Sequence, residues 1–280
     1  MSSDIPTITL NDGLTLPAIG FGTYKLNGAD GVQKILSAID TGYRLLDSAF
    51  NYENEGTVGE AVRRSSVPRE ELRITSKLPG RHHKYQEALQ TIQESLFRAG
   101  LDYYDLYLIH WPNPSKDQYV EAWQALIDAK KWGLIRSIGV SNFLPEHLQR
   151  LISETGVTPS VNQVELHPYF NQEKQRAWDK ENGIVTESWS PLGRANHLLQ
   201  DKTLKKIAAD HDISIAQVIL RWHVQLGALP LPKSSSPARQ LENLSLFNFS
   251  LTDDEMKIIS SLSRPDGRTF GQDPAKYEEF

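Results

Sequence analysis

The sequence contains no cysteine among its 280 residues. Disulfides, thiolate nucleophiles and zinc–thiolate centres are therefore excluded together, and the composition suits a reducing compartment. It also lacks any uninterrupted apolar run near the ~18 residues that a bilayer-spanning helix requires, so no membrane partner is expected. The opening Met1-Ser2-Ser3-Asp4-Ile5-Pro6 has neither the basic start nor the apolar stretch of a secretory signal, which makes the cytoplasm the expected location. Positive charge is not in excess: 30 Lys and Arg stand against 35 Asp and Glu, a net charge of -5. Without a basic field, nucleic acid is not an expected partner. Glycine and proline, at 18 and 15, are close to ordinary usage, which argues against collagen or low-complexity sequence.

What is present is a regular alternation of short apolar runs and longer amphipathic ones. After a hairpin (7–10 and 14–16 around Asn11-Asp12-Gly13, a good turn sequence), strands are expected at 18–21, 44–46, 73–75, 105–109, 135–140, 161–164, 185–188 and 229–231. Most read as nearly continuous Leu, Ile and Val, the pattern of strands covered on both faces in a parallel sheet. Helices are expected between them, at 31–40, 57–65, 85–99, 118–130, 145–155, 172–181, and 203–209 with 215–225. In the fourth, Val120, Trp123, Leu126 and Ile127 share one face. Pro145 and Pro237 sit as first-turn prolines, and two more helices, 237–246 and 253–262, close the globule. Eight strand–helix units in one stretch of 1–280, with no linker, predict an α/β fold of the (β/α)8 TIM-barrel type, with an N-terminal β-hairpin and two extra helices. An open doubly wound sheet is the alternative. Nothing requires more than a monomer.

Chemistry in such a barrel collects at the C-terminal ends of the strands. Those positions hold Asp47, Lys77, His110, Ser141-Asn142, Gln163, Trp189-Ser190 and Lys233-Ser234. Each has an ordinary reading of its own: a helix cap for Asp47, a solvated strand end for Lys77, a backbone-satisfied ring for His110, packing for Tyr52 and Trp189, a basic surface turn for Lys233. An ionisable residue at the end of three successive strands favours a site instead. Lys233, Ser234 and Arg239 surround the start of the helix at Pro237, whose amides and dipole attract anions.

The stretch Gly42-Tyr43-Arg44-Leu45-Leu46-Asp47-Ser48-Ala49, followed by Tyr52, Asn54, Glu55 and Gly59, resembles the first signature of the aldo-keto reductases. Leu106–Pro112, Gly139-Val140-Ser141-Asn142, Asn162-Gln163-Val164-Glu165 and Pro232-Lys233-Ser234 match further motifs of that family in order, and the pattern is most similar to its compact prokaryotic members. The resemblance covers almost the whole chain. It implies a TIM barrel that reduces aldehydes or ketones to alcohols with NADPH, without metal, on a small-molecule carbonyl substrate. It also implies that Asp47, Tyr52, Lys77 and His110 are the catalytic four. The chemistry stands on its own terms. Carbonyl reduction needs a hydride on carbon and a proton on oxygen. A tyrosine, with an ordinary pKa near 10, becomes a better donor beside the Lys77 ammonium. Asp47 then orients Lys77, and a neutral His110 hydrogen-bonds the carbonyl oxygen. Family members use the positions of Ser141, Asn142 and Gln163 for the nicotinamide carboxamide and that of Trp189 for stacking. The resemblance further assigns Gly22, Thr23, Ser190, Leu192, Lys233, Ser234, Ser236 and Arg239 to the cofactor, with Glu242 and Asn243 at the adenine. Ser236 stands where relatives often carry a basic residue. Tyr24, which replaces a frequent tryptophan, is assigned with Phe50 and Trp111 to the substrate pocket, and Phe143 is a further candidate for its lining.

Other signals carry less. Gly20-Phe21-Gly22-Thr23 begins a dinucleotide fingerprint and then departs from it, so the two glycines are read as letting the backbone turn at the barrel mouth. His82-His83 lacks a third metal ligand and reads as an exposed loop. Glu165 and Glu187 would suit a barrel glycosidase with paired carboxylates, but that leaves Lys77, Tyr52 and Lys233 without roles. A non-catalytic, cofactor-binding regulatory barrel is a third reading, weakened by the presence of all four catalytic residues. The short insert 190–202, and the little that follows Leu262, predict an open pocket for small aldehydes, dicarbonyls or keto-sugars. The polar tail 274–280 either covers the barrel or frays from it.

Overall fold

The computed structural model describes residues 5–194 and 197–280; the opening residues 1–4, and Ala195 and Asn196 of the insert at 190–202, lie outside the described residues. A hairpin comes first, β1 (Thr7–Thr9) against β2 (Thr15–Pro17), with Ile8 opposite Leu16. Eight parallel strands follow: β3 (Phe21–Gly22), β4 (Leu45–Asp47), β5 (Arg73–Leu78), β6 (Tyr104–Ile109), β7 (Ile135–Ser141), β8 (Val161–Glu165), β9 (Val185–Trp189) and β10 (Leu229–Pro230). Each pairs with the next in the order β3 to β10. The ring closes where Gly20 N–H donates to Pro230 O and Gly22 N–H to Pro232 O, both at 3.0 Å. This seam explains the two glycines. Neither has a positive φ; a Cβ on Gly20 would lie 2.6 Å from Leu231 Cδ2 and 2.8 Å from Leu45 Cδ2. They permit close approach across the seam and do not turn the chain.

The helices α1 (Gly28–Thr41), α2 (Glu55–Arg64), α3 (Tyr85–Ala99), α4 (Tyr119–Lys131), α5 (Pro145–Thr155) and α6 (Glu173–Glu181) each follow one strand. Two, α7 (Lys202–Asp210) and α8 (Ile215–Gln225), lie between β9 and β10. The last two, α9 (Pro237–Leu244) and α10 (Asp253–Ser260), follow β10. The helix α9 packs between α8 and α1 and so completes the outer ring. The two helices outside the ring are therefore α7 and α10, which pack on each other. Both first-turn prolines start their helices as expected.

The barrel interior is filled on one side by Leu45, Leu106, Leu108, Val161 and Leu229, with Leu10 and Leu16 of the hairpin packed into the same cluster. Arg73 at the start of β5 donates to Thr15 O, and Asn11 donates to Pro159 O just before β8. The hairpin thus plugs the barrel at the strands' N-terminal ends. Each fully buried leucine there contributes about 1.5–3 kcal/mol, and the polar residues are left to the opposite mouth.

Candidate active site

At that mouth a cavity of about 570 Å³ opens above a polar cluster enclosed in the barrel. Lys77 on β5 is fully buried, and its Nζ donates to Asp47 Oδ1 at 2.8 Å, Asp47 Oδ2 at 2.7 Å and Ser48 O at 2.7 Å. All three ammonium protons are thereby engaged. The same ammonium lies 5.0 Å from the centre of the Tyr52 ring. The Tyr52 ring meets the His110 ring edge-on at 6.0 Å. Gln163 on β8 bridges two acids, donating to Asp47 Oδ1 and Glu187 Oε2 at 2.9 Å each. Thr23 holds the Asp47 carbonyl through its hydroxyl, 2.8 Å away.

Electrostatics follow from this burial. Burial alone would lower Lys77, but the Asp47 carboxylate and Tyr52 hold it above the ordinary lysine value. The Tyr52 phenol is raised above its ordinary value, chiefly by burial; Lys77 pulls it down and Asp47 pushes it up. Lys77 thus acts on the phenol in the direction expected from the sequence, but burial outweighs it in the empty cavity and the phenol keeps its proton. Glu187, fully enclosed and facing Asp47, is pushed up to about 8.

The cavity wall gathers most of the residues singled out in the sequence: Asp47, Tyr52 and His110 from the first group, and Gly22, Asn142, Gln163, Trp189, Ser190, Leu192 and Lys233 from the second. Tyr24 and Trp111 line it as well. Lys77, Thr23 and Ser141 lie behind the wall, buried, with the Ser141 hydroxyl donating to Gln163 O at 2.8 Å. The indole N–H of Trp189 donates to Asn142 Oδ1 at 2.8 Å, which fixes the ring at the end of β9. Gln163 Oε1 accepts no hydrogen bond among the described residues and remains available to a ligand. Lys25, Asn142, Ser190 and Arg194 of the wall have positive φ, backbone strain of the kind that clusters at functional sites.

Ser234, Ser236, Arg239, Glu242 and Asn243 sit beyond the wall, on the loop into α9 and on α9 itself. Ser234 Oγ accepts from Ser236 N–H at 3.1 Å, and the Ser236 side chain makes no cap to the helix. First-turn amides of α9 therefore remain free for an anion, and among the described residues neither Lys233 nor Arg239, both exposed, has a carboxylate partner.

Three sequence expectations fail here. Phe50 does not line the cavity: in the turn Phe50–Tyr52 its neighbours Asn51 and Tyr52 face inward, while its own ring packs under Arg98, 4.0 Å away, and against His82. Phe143 is buried against Tyr119 and His147, outside the wall. His83 is not exposed but enclosed, and burial pushes it down to about 4. The missed residues come mainly from two segments. Arg194 spans the mouth, its guanidinium 4.6 Å from the Tyr24 ring and 4.9 Å from the Phe270 ring. Gln272, Tyr277 and Glu279 supply another wall, so the tail covers the barrel and the surround is less open than expected. Glu165 and Glu187 do not line the cavity; Glu165 is tied to His167 and Thr269. A two-carboxylate glycosidase has no geometry here.

Comparison with known proteins agrees with this arrangement. The Aldo/keto reductase family model matches residues 18–264. The chain is 55% identical over 277 residues to 2,5-diketo-D-gluconic acid reductase B of Corynebacterium sp. (strain SHS752001), covering 99% of each chain. It is 43% identical over 271 residues to the methylglyoxal reductase DkgA of Escherichia coli (strain K12), covering 96% of this chain and 97% of that one. The crystal structure of Gox0644 superposes with a TM-score of 0.94 at 41% identity, covering 99% of this chain and all of the other; a variant of that protein, equally similar, was solved in complex with NADPH. By sequence and fold, the chain belongs to the aldo/keto reductase family.

Proposed function

We propose that the protein reduces small carbonyl compounds with NADPH, with Tyr52 as the proton donor. The observation that carries the proposal is the Lys77 ammonium, fully buried, saturated by Asp47 and Ser48, and placed 5.0 Å from the Tyr52 ring beneath a cavity. When bound, NADPH supplies the hydride that reaches the carbonyl carbon. Tyr52 holds its proton until an alkoxide, far more basic than a phenolate, develops on the substrate oxygen. Lys77 then stabilises the phenolate left behind, since its attraction already pulls the Tyr52 phenol downward. Asp47 keeps Lys77 charged and fixed, and His110 at the cavity edge orients the carbonyl.

The fit to the cofactor rests on the free Gln163 Oε1 and the anchored Trp189 ring for the nicotinamide. At the other end it rests on the uncapped α9 terminus with Ser236, Lys233 and Arg239 for the phosphate. A Cβ on Gly22 would lie 3.1 Å from Leu231 O and 3.5 Å from Lys233 Cβ, which keeps that edge clear. Glu242 and Asn243 on the same helix suit the adenine. The relatives that act on 2,5-diketogluconate and methylglyoxal point to dicarbonyls and keto-sugars as substrates, in the cytoplasm.

NADPH consumption, with NADH in parallel, is measured against methylglyoxal, simple aldehydes and 2,5-diketo-D-gluconate. Tyr52→Phe is expected to lose turnover by about 10²–10⁴-fold while binding NADPH as the parent does. Retention of more than a few per cent of the parent rate refutes the role of Tyr52. NADPH binding by the parent without reduction of any carbonyl would favour the regulatory reading instead.

A further inference from the structure

The tail is more than a cover. Asn113 clamps the backbone of residue 279 at both ends: its Nδ2 donates to Glu279 O at 2.7 Å, and Glu279 N–H donates to its Oδ1 at 3.0 Å. The Tyr277 ring packs on Trp111 at 4.4 Å, and Arg81 holds the Phe280 carbonyl at 2.9 Å. This carries the Glu279 carboxylate into the cavity wall, where it is buried. Gly80 N–H donates to its Oε2 at 2.8 Å, and Asn51 Nδ2 donates to its Oε1 at 2.7 Å. His110 Nδ1 lies 2.7 Å from the same Oε1. That approach is out of line with the ring N–H direction, so it is a bent, ionic contact; a carboxylate this close to a buried ring nitrogen favours a proton on it over a bare lone pair facing the oxygen.

We propose that Glu279 is a positioning residue for His110, holding a proton on Nδ1 so that Nε2 is the ring atom presented to the substrate oxygen. The inference rests on the reading of His110 as the group that orients the carbonyl. It revises the neutral donor expected from the sequence: with Nδ1 protonated, the neutral ring offers only a lone pair at Nε2, and the ring that donates to a carbonyl is the doubly protonated one, balanced by Glu279. The site requires an all-acceptor group. Two N–H donors and His110 converge on two carboxylate oxygens, and a glutamine must turn its NH2 toward Gly80 or toward Asn51 and His110. Burial opposes ionisation of Glu279, but His110, Gly80 and Asn51 together hold it below the ordinary glutamate value.

The test uses the full chain. ¹⁵N-resolved spectra of the His110 ring read the position of its proton without any reaction. The parent is expected to carry a proton on each ring nitrogen, and Glu279→Gln to lose the one on Nδ1. With NADPH and methylglyoxal, Glu279→Gln is expected to raise KM for methylglyoxal by about ten- to a hundredfold, with KM for NADPH within twofold. Glu279→Ala should behave alike and recover in added formate, a readout that loss of packing would not give. A parent ring that carries a single proton, on either nitrogen, overturns the proposal. So does a methylglyoxal KM unchanged in Glu279→Gln while His110→Ala raises it, and in that case the role of His110 stands. If His110→Ala also leaves that KM unchanged, the role of His110 falls and the proposal with it, while Tyr52→Phe still reports separately on proton donation.

Discussion

Replacing Lys77 by methionine separates stability from chemistry within the polar cluster. At a separation of 2.7 Å and an effective dielectric near 20, the attraction between Lys77 and Asp47 is about 6 kcal/mol. Desolvation of two ions costs several kcal/mol each, so the intact pair contributes little net stability. Removing one partner is a different matter. Lys77→Met leaves the Asp47 carboxylate enclosed with only the Gln163 amide, at a cost of about 3–5 kcal/mol, and strips the buried Ser48 carbonyl of its donor, about 1–3 kcal/mol more. At about 2–4 °C per kcal/mol, the expected fall in Tm is roughly 8–30 °C.

The second arm is Lys77→Met combined with Asp47→Leu. Replacing both charges by apolar groups of similar volume removes the stranded carboxylate, so the pair should regain about 3–5 kcal/mol over the single variant and remain short by the Ser48 carbonyl and the Gln163 N–H that loses its acceptor. Turnover stays lost in both, because neither has a cation to stabilise the Tyr52 phenolate. Urea unfolding of the parent, the two singles and the double supplies the cycle. A single variant within about 1 kcal/mol of the parent, or a double no more stable than Lys77→Met, refutes the reasoning.

Two further outcomes depend on pH. Glu187 rises from the unfolded value of 4.5 to about 8 in the folded chain, so its contribution is complete below pH 4.5 and is lost as pH rises through about 8. Relative to the parent, Glu187→Gln should therefore gain about 1.4 kcal/mol per pH unit between those limits; a difference in urea-derived stability that stays flat from pH 5 to pH 8 contradicts the assignment. His223, which contacts Ser188 and the Pro191 carbonyl, is pushed down by burial to about 3, and His83 to about 4. Both have an ordinary value of 6.5 when unfolded, so below pH 6.5 the unfolded chain binds more protons at these two rings, a loss of up to about 2.8 kcal/mol per unit that Glu187 opposes by about 1.4. Relative to the parent, His223→Phe should gain about 1.4 kcal/mol per unit as pH falls below 6.5; a difference in urea-derived stability that stays flat from pH 6.5 to pH 4.5 would exclude this.

What was legible in the sequence was what local order dictates. Asp47, Lys77 and Gln163 terminate or nearly terminate apolar runs, and a parallel barrel puts such positions at one mouth whatever the loops do. Strand limits slipped where backbone pairing outweighs composition: residues 18–20 read as strand, but the seam engages Gly20 and Gly22 through β10. Phe50 was misplaced because side-chain direction changes with every residue in the short turn that carries Tyr52. The identity of the extra helices depends on whether α9 reaches α1 across the ring, a contact over some two hundred residues that no periodicity encodes. Glu279 was missed for the same reason. Its partners Asn51, Gly80 and Asn113 lie far away in the chain, and the only visible signal was a polar tail of indefinite position.

The distribution of protons explains why the cluster can be both dry and reactive. Lys77 has each of its three protons held, two by Asp47 and one by Ser48. Glu187 keeps its proton because it is fully buried and because ionising it would place a second carboxylate beside Asp47. With Asp47 and Lys77 cancelling and Tyr52 neutral, the enclosed group carries no net charge, which a low-dielectric barrel tolerates far better than any member alone. Tyr52 is the member that lines the cavity with a transferable proton, and its phenol is the one that Lys77 is placed to stabilise after release. Desolvation, which raises the phenol in the absence of substrate, therefore does not oppose the reaction. It withholds the proton from water and leaves a developing alkoxide as the base strong enough to take it.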